Sequence, residues 1–435
     1  MLRRLDLRGP LGDLSAILPR PEVAGDGPTE AVRAIIAEVV ARGDDALREL
    51  TARFDGAEPS SIRVDPAEVA AALDRIDPEV RTALEVAAAN VRRHHEGQVH
   101  PEHRTEDEGL VIRSSSRPVE RAGCYAPGGR ATYPSTVLMT AVPARVAGVD
   151  EVVLCVPPGP DGRIAEVTLA AAAVAGVDVV CAVGGAQAVA AMAHGTDSVP
   201  RVDVIAGPGN VYVALAKREV AGLVGVPSAF AGPSEVVVVV DATAPPAYAA
   251  VDIVVQAEHG PDGLAWLVTW DEAVADAVEA EVARIVEASP RRDDVNGTLA
   301  SAGWTVLVDG PDEALTVVDV IAPEHLQLMV DGAEALADRV RHAGAIFCGP
   351  WSPASLGDYV AGPSHVLPTA GTARFSGALT VADFTKEVHV VTADRGALER
   401  LAPHVAALAD AEGLDAHAYS VRIRMADGPG GTAGG

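Results

Sequence analysis

The chain is poor in aromatic residues, poor in cysteine and short of positive charge. Phe, Trp and Tyr make up only 3% of its 435 residues, while Ala and Val dominate. That balance suits helices packed on a parallel sheet better than an all-β sandwich. The four cysteines, Cys124, Cys155, Cys181 and Cys348, are scattered, form no C-x-x-C pair and lie in or beside apolar stretches. They read as buried free thiols in a reducing compartment, not as a disulfide framework. The formal net charge is −27 and Lys and Arg form no cluster. This argues against a nucleic-acid partner and leaves solubility as the plain meaning of the charge. No apolar run is long enough to span a bilayer, and Met1 to Asp6 opens no apolar leader segment. The expectation is a cytoplasmic, soluble protein with no membrane partner.

What is present is a large apolar content, 49% of the residues, ample for two or more domains. From about Pro28 to His95 the spacing is helical. Thr29 leads into Ala31, Ile35, Ile36, Val39 and Val40, and a second stretch carries Val69, Leu73, Ile76, Val80, Leu84, Ala87 and Val91. From Val119 to about Val226, short β-prone runs alternate with Ala-rich helical stretches. The runs are Val152 to Val156, Val177 to Val183 and Val202 to Ala206, and the alternation predicts βαβ units on a parallel sheet. A second alternating region runs from Glu235 to about Phe347, with further strands at Trp266 to Trp270 and Thr305 to Val308. A Gly/Pro/Ser-rich loop, Gly349 to Gly377, and a helical tail from Leu398 to about Arg424 follow, and the Gly-rich end from Gly428 is expected to be disordered.

Three Gly-rich turns, Tyr125 to Gly129, Gly184 to Gln187 and Gly207 to Asn210, sit where a parallel strand would hand over to a helix. Such positions bind ligands in open α/β sheets, and glycine lets a pyrophosphate approach backbone N–H groups. None is a G-x-G-x-x-G, so ordinary tight turns remain the alternative. Glu324 and His325 place two proton-transfer groups side by side after the apolar run Val317 to Ile321. A helix could not aim neighbours at one point, whereas a loop or turn could. A surface Glu beside a core His stays open as the plainer reading. Gln256 and His259 lie three apart after an apolar helical run from Pro246, the spacing of one helix face. They are half of a metal site or an ordinary helix end. The loop Gly357 to Thr369 offers Asp358 and His365, and Glu412 to His417 offers a carboxylate and an imidazole around Gly413, a candidate helix C-cap.

Taken together, these islands resemble the histidinol dehydrogenase family. The resemblance is carried by Tyr125 to Met139, Val183 to Gln187, Gly207 to Asn210, Ala231 to Val236, Gln256 to Gly260, Pro323 to Leu326, Gly357 to Thr369 and Glu412 to His417. They occur in the family's order over nearly the whole chain, and only the tail after Met425 is idiosyncratic.

The resemblance implies two Rossmann-like, parallel-sheet α/β domains with a helical N-terminal segment (1–27) and a small helical C-terminal tail domain (379–435). Residues 119–233 would bind NAD, and 28–118 with 234–378 would form the larger α/β domain carrying zinc and the catalytic residues. It implies the oxidation of L-histidinol to L-histidine by two NAD through the aldehyde, with one zinc ion per subunit. By match to the family's motifs, Gln256, His259, Asp358 and His417 would bind zinc. Ser234, His365 and Glu412, with those four and His325, would contact the substrate, and Tyr125, Gln187 and Asn210 the NAD. His325 would be the base for the alcohol and Glu324 the base for water. The family forms homodimers, so Glu412 and His417 would reach the partner's site.

A dehydrogenase of the same family acting on another small alcohol is one competing expectation. A zinc hydrolase using Glu258 or Glu324 is a second, but H-E-x-x-H is absent and the glycine turns would have no task. Nothing positive in the sequence supports a third, a non-catalytic acidic binding protein.

Overall fold

The computed structural model describes residues 2–19, 27–128, 131–227, 234–258 and 263–426. His259 and Gly260, Gly129 of the first glycine turn, residues 231–233 before Ser234, and the Gly-rich end from Gly428 fall outside them.

In chain order, β1 (Arg3–Asp6) is followed by a hairpin of β2 (His103–Asp107) and β3 (Leu110–Pro118). Next come β4 (Arg121–Tyr125), β5 (Glu151–Val156), β6 (Val179–Ala182) and β7 (Val204–Ala206), with helices between them. The second series is β8 (Glu235–Val240), β9 (Leu264–Thr269), β10 (Gly303–Leu307), β11 (His325–Met329) and β12 (Ala345–Cys348), and β13 (Thr385–Ala393) closes the set. The chain divides into two compact units, Met1–Gln98 with Val119–Phe384, and Val99–Pro118 with Thr385–Gly435.

The larger unit holds two sheets. One is four-stranded and parallel in the order β6-β5-β4-β7, and the other six-stranded and parallel in the order β1-β10-β9-β8-β11-β12. The fold is therefore α/β with two parallel sheets, as the alternation of β-prone and Ala-rich runs predicted. Continuous apolar strands are what a sheet covered on both faces requires. All six residues of β8 are buried, and Val236 to Val240 are at most 2% exposed, each contributing about 1.5–3 kcal/mol of apolar burial. Small residues let the covering helices come close. In the helices Glu166–Ala175 and Gly185–His194, almost every Ala is buried in the cores around the four-stranded sheet.

Local chemistry explains the element ends. The helical spacing from Val69 to Val91 spans two helices, Pro66–Arg75 and Pro78–Glu96, where the sequence pattern suggested one stretch. Pro78 cannot continue a preceding helix but fits the first position of a new one, and the Asp77 side chain accepts from the Glu79 N–H at 2.7 Å. The order β6-β5-β4-β7 means that the chain winds outward from β4 and then returns to its other side. That creates a switch point between the carboxyl ends of β4 and β7. The six-stranded sheet has its own switch point, between β8 and β11.

The smaller unit is more than the helical tail expected from sequence. β13 pairs antiparallel with β3, and β3 with β2. This joins residues 103–118 to 385–393, which the sequence expectation placed in different domains. After the sheet, helices Arg395–Ala411 and Asp415–Ala426 pack on a small core of Ala402, Ala406, Ala409, Ala418 and Val421. Gly413 adopts φ +71° just after the first of them, the helix-ending conformation anticipated for it. Among the described residues no helix is long and apolar enough to cross a membrane.

Candidate active site

The three glycine turns all follow carboxyl ends of strands in the four-stranded sheet, after β4, β6 and β7. Gly207 holds φ +115°, and a Cβ there would collide with the Tyr125 carbonyl oxygen; a Cβ on Gly184 would strike the ring of Pro157. These glycines are required for close packing around the switch point. The turns open on a cavity of about 1180 Å3 lined by Tyr125, Gln187 and Asn210 among others. All three residues assigned to NAD by resemblance thus meet in one cleft.

Each is fixed differently. The Tyr125 hydroxyl accepts the Gly185 N–H at 3.1 Å, and burial pushes its phenol up to about 12, so it stays protonated. Gln187 is 1% exposed and its Nε2 has no hydrogen-bond partner, a cost unless a ligand supplies the acceptor. Asn210 caps the helix Val211–Val220, its Oδ1 accepting from the N–H groups of Tyr212 and Val213 at 3.1 Å.

A second cavity, of about 470 Å3, adjoins the first, because Pro127 and Asn210 line both. It holds Ser234, Gln256, Glu324, His325, Asp358 and His365. Glu324 lies in the turn that leads into β11, and His325 opens the strand. A left-handed turn at Ala322 (φ +51°) ends the helix Pro311–Ile321, and His325 is the first residue of β11, paired in register with Val236 of β8. The pair therefore sits at the amino end of its sheet, opposite to where open α/β sheets usually bind ligands.

Contacts from β8 lock the pair in place. Glu324 Oε2 accepts the Glu235 N–H at 3.0 Å and lies 2.7 Å from Ser234 Oγ, which is also 3.2 Å from Gln256 Oε1. His325 Nδ1 lies 3.2 Å from the Glu235 carbonyl oxygen and 3.5 Å from Glu324 Oε2. Two acceptors around Nδ1 assign the ring proton there in the neutral imidazole and leave a lone pair on Nε2. Nε2 is buried without a hydrogen-bond partner, 3.4 Å from Asp358 Oδ1 but not in hydrogen-bonding geometry. Burial lowers the pKa of His325, but the carboxylates of Glu324 and Asp358 outweigh it and hold the ring up at about 10. A cation on Asp358 would withdraw part of that pull and favour the neutral, proton-accepting ring.

Gln256 ends its helix as expected, yet the helix closes at Ala257 with Glu258 as its cap. His259, the other half of that pair, lies outside the described residues. Asp358 rides on a short helix, Ala354–Tyr359, inside the segment read as loop. His365 Nδ1 donates to the Asp358 carbonyl at 2.8 Å, Nε2 of the neutral ring accepts from Thr136 Oγ1 at 3.1 Å, and burial lowers its pKa. Glu412 and His417 are exposed residues of the smaller unit.

Gln256 and Asp358 bring two oxygen donors to one cavity, and the buried Gln256 Nε2 lacks a protein partner. Oxygen and imidazole donors suit a divalent cation of zinc's character. Among the described residues, no group of three or more His, Cys, Asp or Glu could by itself hold a metal ion. The two remaining expected ligands, His259 and His417, are the one outside those residues and the one in the smaller unit.

Two further charged residues line this cavity unannounced by any motif. Lys217 is fully buried, donates to the Gly207 carbonyl and is lowered by burial to about 8. Asp252 lies one helical turn before Gln256, and burial pushes it up to about 6. Asp252 is the one charge in an otherwise apolar helix, whereas Lys217 is followed by Arg218 and Glu219 and carries no such signal.

A parallel-sheet cleft fit for an extended ligand, opening beside a buried imidazole–carboxylate pair, defines an α/β enzyme that brings a nucleotide-sized cofactor to a proton-transfer centre. A family-wide sequence profile described as histidinol dehydrogenase matches residues 18–425. Histidinol dehydrogenase of Parasynechococcus marenigrum (strain WH8102) is 48% identical over 395 residues, 91% of this chain and 90% of that protein. That of Pseudomonas aeruginosa is 46% identical over 432 residues, 98% of each. The crystal structure of histidinol dehydrogenase from Elizabethkingia anophelis superposes with a TM-score of 0.93 at 32% identity, covering 98% of both chains. The chain belongs to the histidinol dehydrogenase family, NAD-dependent oxidoreductases of histidine biosynthesis.

Proposed function

We propose that this chain oxidises L-histidinol to L-histidine through bound L-histidinaldehyde, passing two hydrides in turn to two molecules of NAD. The observation that carries this reading is the pairing of cavities: Tyr125, Gln187 and Asn210 in the larger, His325, Glu324, Gln256 and Asp358 in the smaller, with Pro127 and Asn210 common to both. The four-stranded sheet is the cofactor half and the six-stranded sheet the catalytic half. Gln256, His259, Asp358 and His417 hold the zinc ion, whose chemistry when bound is to orient the substrate's nitrogen atoms and to offset negative charge.

His325 Nε2, with its proton held on the other ring nitrogen, accepts the alcohol proton as hydride leaves the substrate carbon for NAD. The products of that half-reaction are the aldehyde, NADH and a proton. Glu324 then takes a proton from water as its oxygen adds to the aldehyde carbon, and the protonated His325 returns its proton to the former carbonyl oxygen. The resulting diol repeats the first step, with His325 accepting a proton and a second NAD the hydride, which gives the carboxylic acid. Glu324 is suited to this because its Oε2 is fixed by Ser234 and Glu235 while no hydrogen bond from the described residues engages Oε1. Ser234 and His365 line the cavity where substrate polar groups need partners.

Glu412 and His417 come from the partner subunit of a homodimer in this reading. In support, the tail's core consists of alanines with Val421, while Leu408 and Tyr419 are 68% and 61% exposed, apolar surface that a neighbouring subunit would cover. A cytoplasmic location accords with the buried free thiols Cys124, Cys155 and Cys181. Incubation of the protein with L-histidinol, NAD and zinc is expected to yield L-histidine, detectable by mass spectrometry. Accumulation of the aldehyde alone, or no product, would contradict the proposed function.

A further inference from the structure

The larger cavity contains a carboxylate that neither the motifs nor the proposed chemistry uses. Asp55 follows the helix Asp44–Phe54, its backbone N–H bonded to the Thr51 carbonyl, so its position is set by the end of that helix. It lines the same cleft as Tyr125, Gln187 and Asn210. Its Oδ2 is buried with no hydrogen-bond partner, and no cation among the described residues lies within ion-pair distance. Burial pushes its pKa up to about 6, so near neutral pH it is mostly an ionised group lacking donors. A cleft that holds an unpartnered acceptor is complete only when a ligand brings hydroxyl or N–H donors to it.

The position within the cleft indicates which part of the ligand this is. Pro127 and Asn210 line both cavities and so mark the end where hydride leaves for the nicotinamide. Asp55 and its neighbours Arg53 and Phe54 line only the larger cavity. On the reading of that cavity as the NAD cleft, this is the adenosine half, whose ribose offers two vicinal hydroxyls. We propose that Asp55 accepts hydrogen bonds from the adenosine ribose and thereby selects NAD over NADP. Its negative charge leaves no place for a 2′-phosphate. An acidic residue does this work in dinucleotide folds that carry the glycine fingerprint; here it would come from a helix end outside the βαβ unit. Arg53, two residues away, stacks on the Phe54 ring at 5.1 Å from its centroid and is the group that would favour the phosphate instead.

The test compares kcat/KM for NAD and NADP in the wild type, Asp55→Asn and Gln187→Ala, the last probing the cleft independently. The wild type is expected to prefer NAD by about a hundredfold or more, and Asp55→Asn to raise KM for NAD about tenfold with kcat nearly unchanged, the size of one charged hydrogen bond. The NAD-to-NADP preference should shrink by a similar factor. A second readout separates binding from folding. The folded pKa of Asp55 lies above its ordinary value of 3.8, so stability is lost as pH rises from there through about 6. The Asn variant escapes that loss, and its melting temperature at pH 7 should equal or exceed the wild type's. If the Asn variant does not fold, Asp55→Ser serves the same comparison. An unchanged KM and preference in the Asp55 variant, with KM raised in Gln187→Ala, overturns the role of Asp55 and leaves the cleft standing. No change in either variant overturns both. A wild type that uses NADP as well as NAD also contradicts the proposal.

Discussion

Replacing His325 with asparagine is expected to lower kcat about 10²- to 10⁴-fold while leaving the bound metal unchanged. The geometry supports so specific a loss. Asparagine can still donate to the Glu235 carbonyl, the partner 3.2 Å from Nδ1 of the native ring, so the amino end of β11 keeps its register. What disappears is the lone pair at Nε2, the atom buried without a hydrogen-bond partner beside Asp358. Both oxidations need that lone pair, so turnover of histidinol and of the aldehyde should fall together. Metal content by elemental analysis serves as the control. Turnover at the wild-type rate would remove His325 from the chemistry.

Glu324→Gln should act on one step only. The amide oxygen can still accept from Ser234 Oγ and the Glu235 N–H, the donors at 2.7 and 3.0 Å, so the local fold is retained. An amide cannot take a proton from water, and aldehyde oxidation is expected to fall about a hundredfold or more. Reduction of the aldehyde by NADH needs no water addition and should change by less than about tenfold. Equal losses in both directions would show that Glu324 positions His325, 3.5 Å away, instead of activating water.

Much of this arrangement was legible in the sequence, for physical reasons that can be named. The parallel strands were readable because a sheet covered on both faces needs continuous β-branched runs, as in Val236 to Val240. The glycine turns were readable because Gly207 and Gly184 have no room for a side chain. The strands that escaped notice have no such pattern. β2 is exposed at every residue from His103 to Asp107, and β1 reads Arg-Arg-Leu-Asp at a sheet edge, so hydrophobic periodicity had nothing to report.

In the site, adjacency of Glu324 and His325 was visible, but their setting was not. Glu324 is held by Ser234 and Glu235, and those contacts depend on β11 pairing with β8, about ninety residues apart in sequence. Asp55, Asp252 and Lys217 were invisible for a related reason. A charge in a helix or at its end is ordinary, and only tertiary packing shows that Lys217, Asp252 and the Oδ2 of Asp55 are buried in the walls of two cavities. The helix that carries Gln256 ends at Ala257, and His259, the other half of that pair, lies outside the described residues.

In the proposed reaction one bound substrate is oxidised twice. Counting NADH formed per L-histidinol consumed, with NAD in excess and zinc present, tests this directly. A ratio of two, with no free aldehyde released, is the expected result. A ratio of one would make the protein a simple alcohol dehydrogenase, and no NADH at all would contradict the assignment of both cavities.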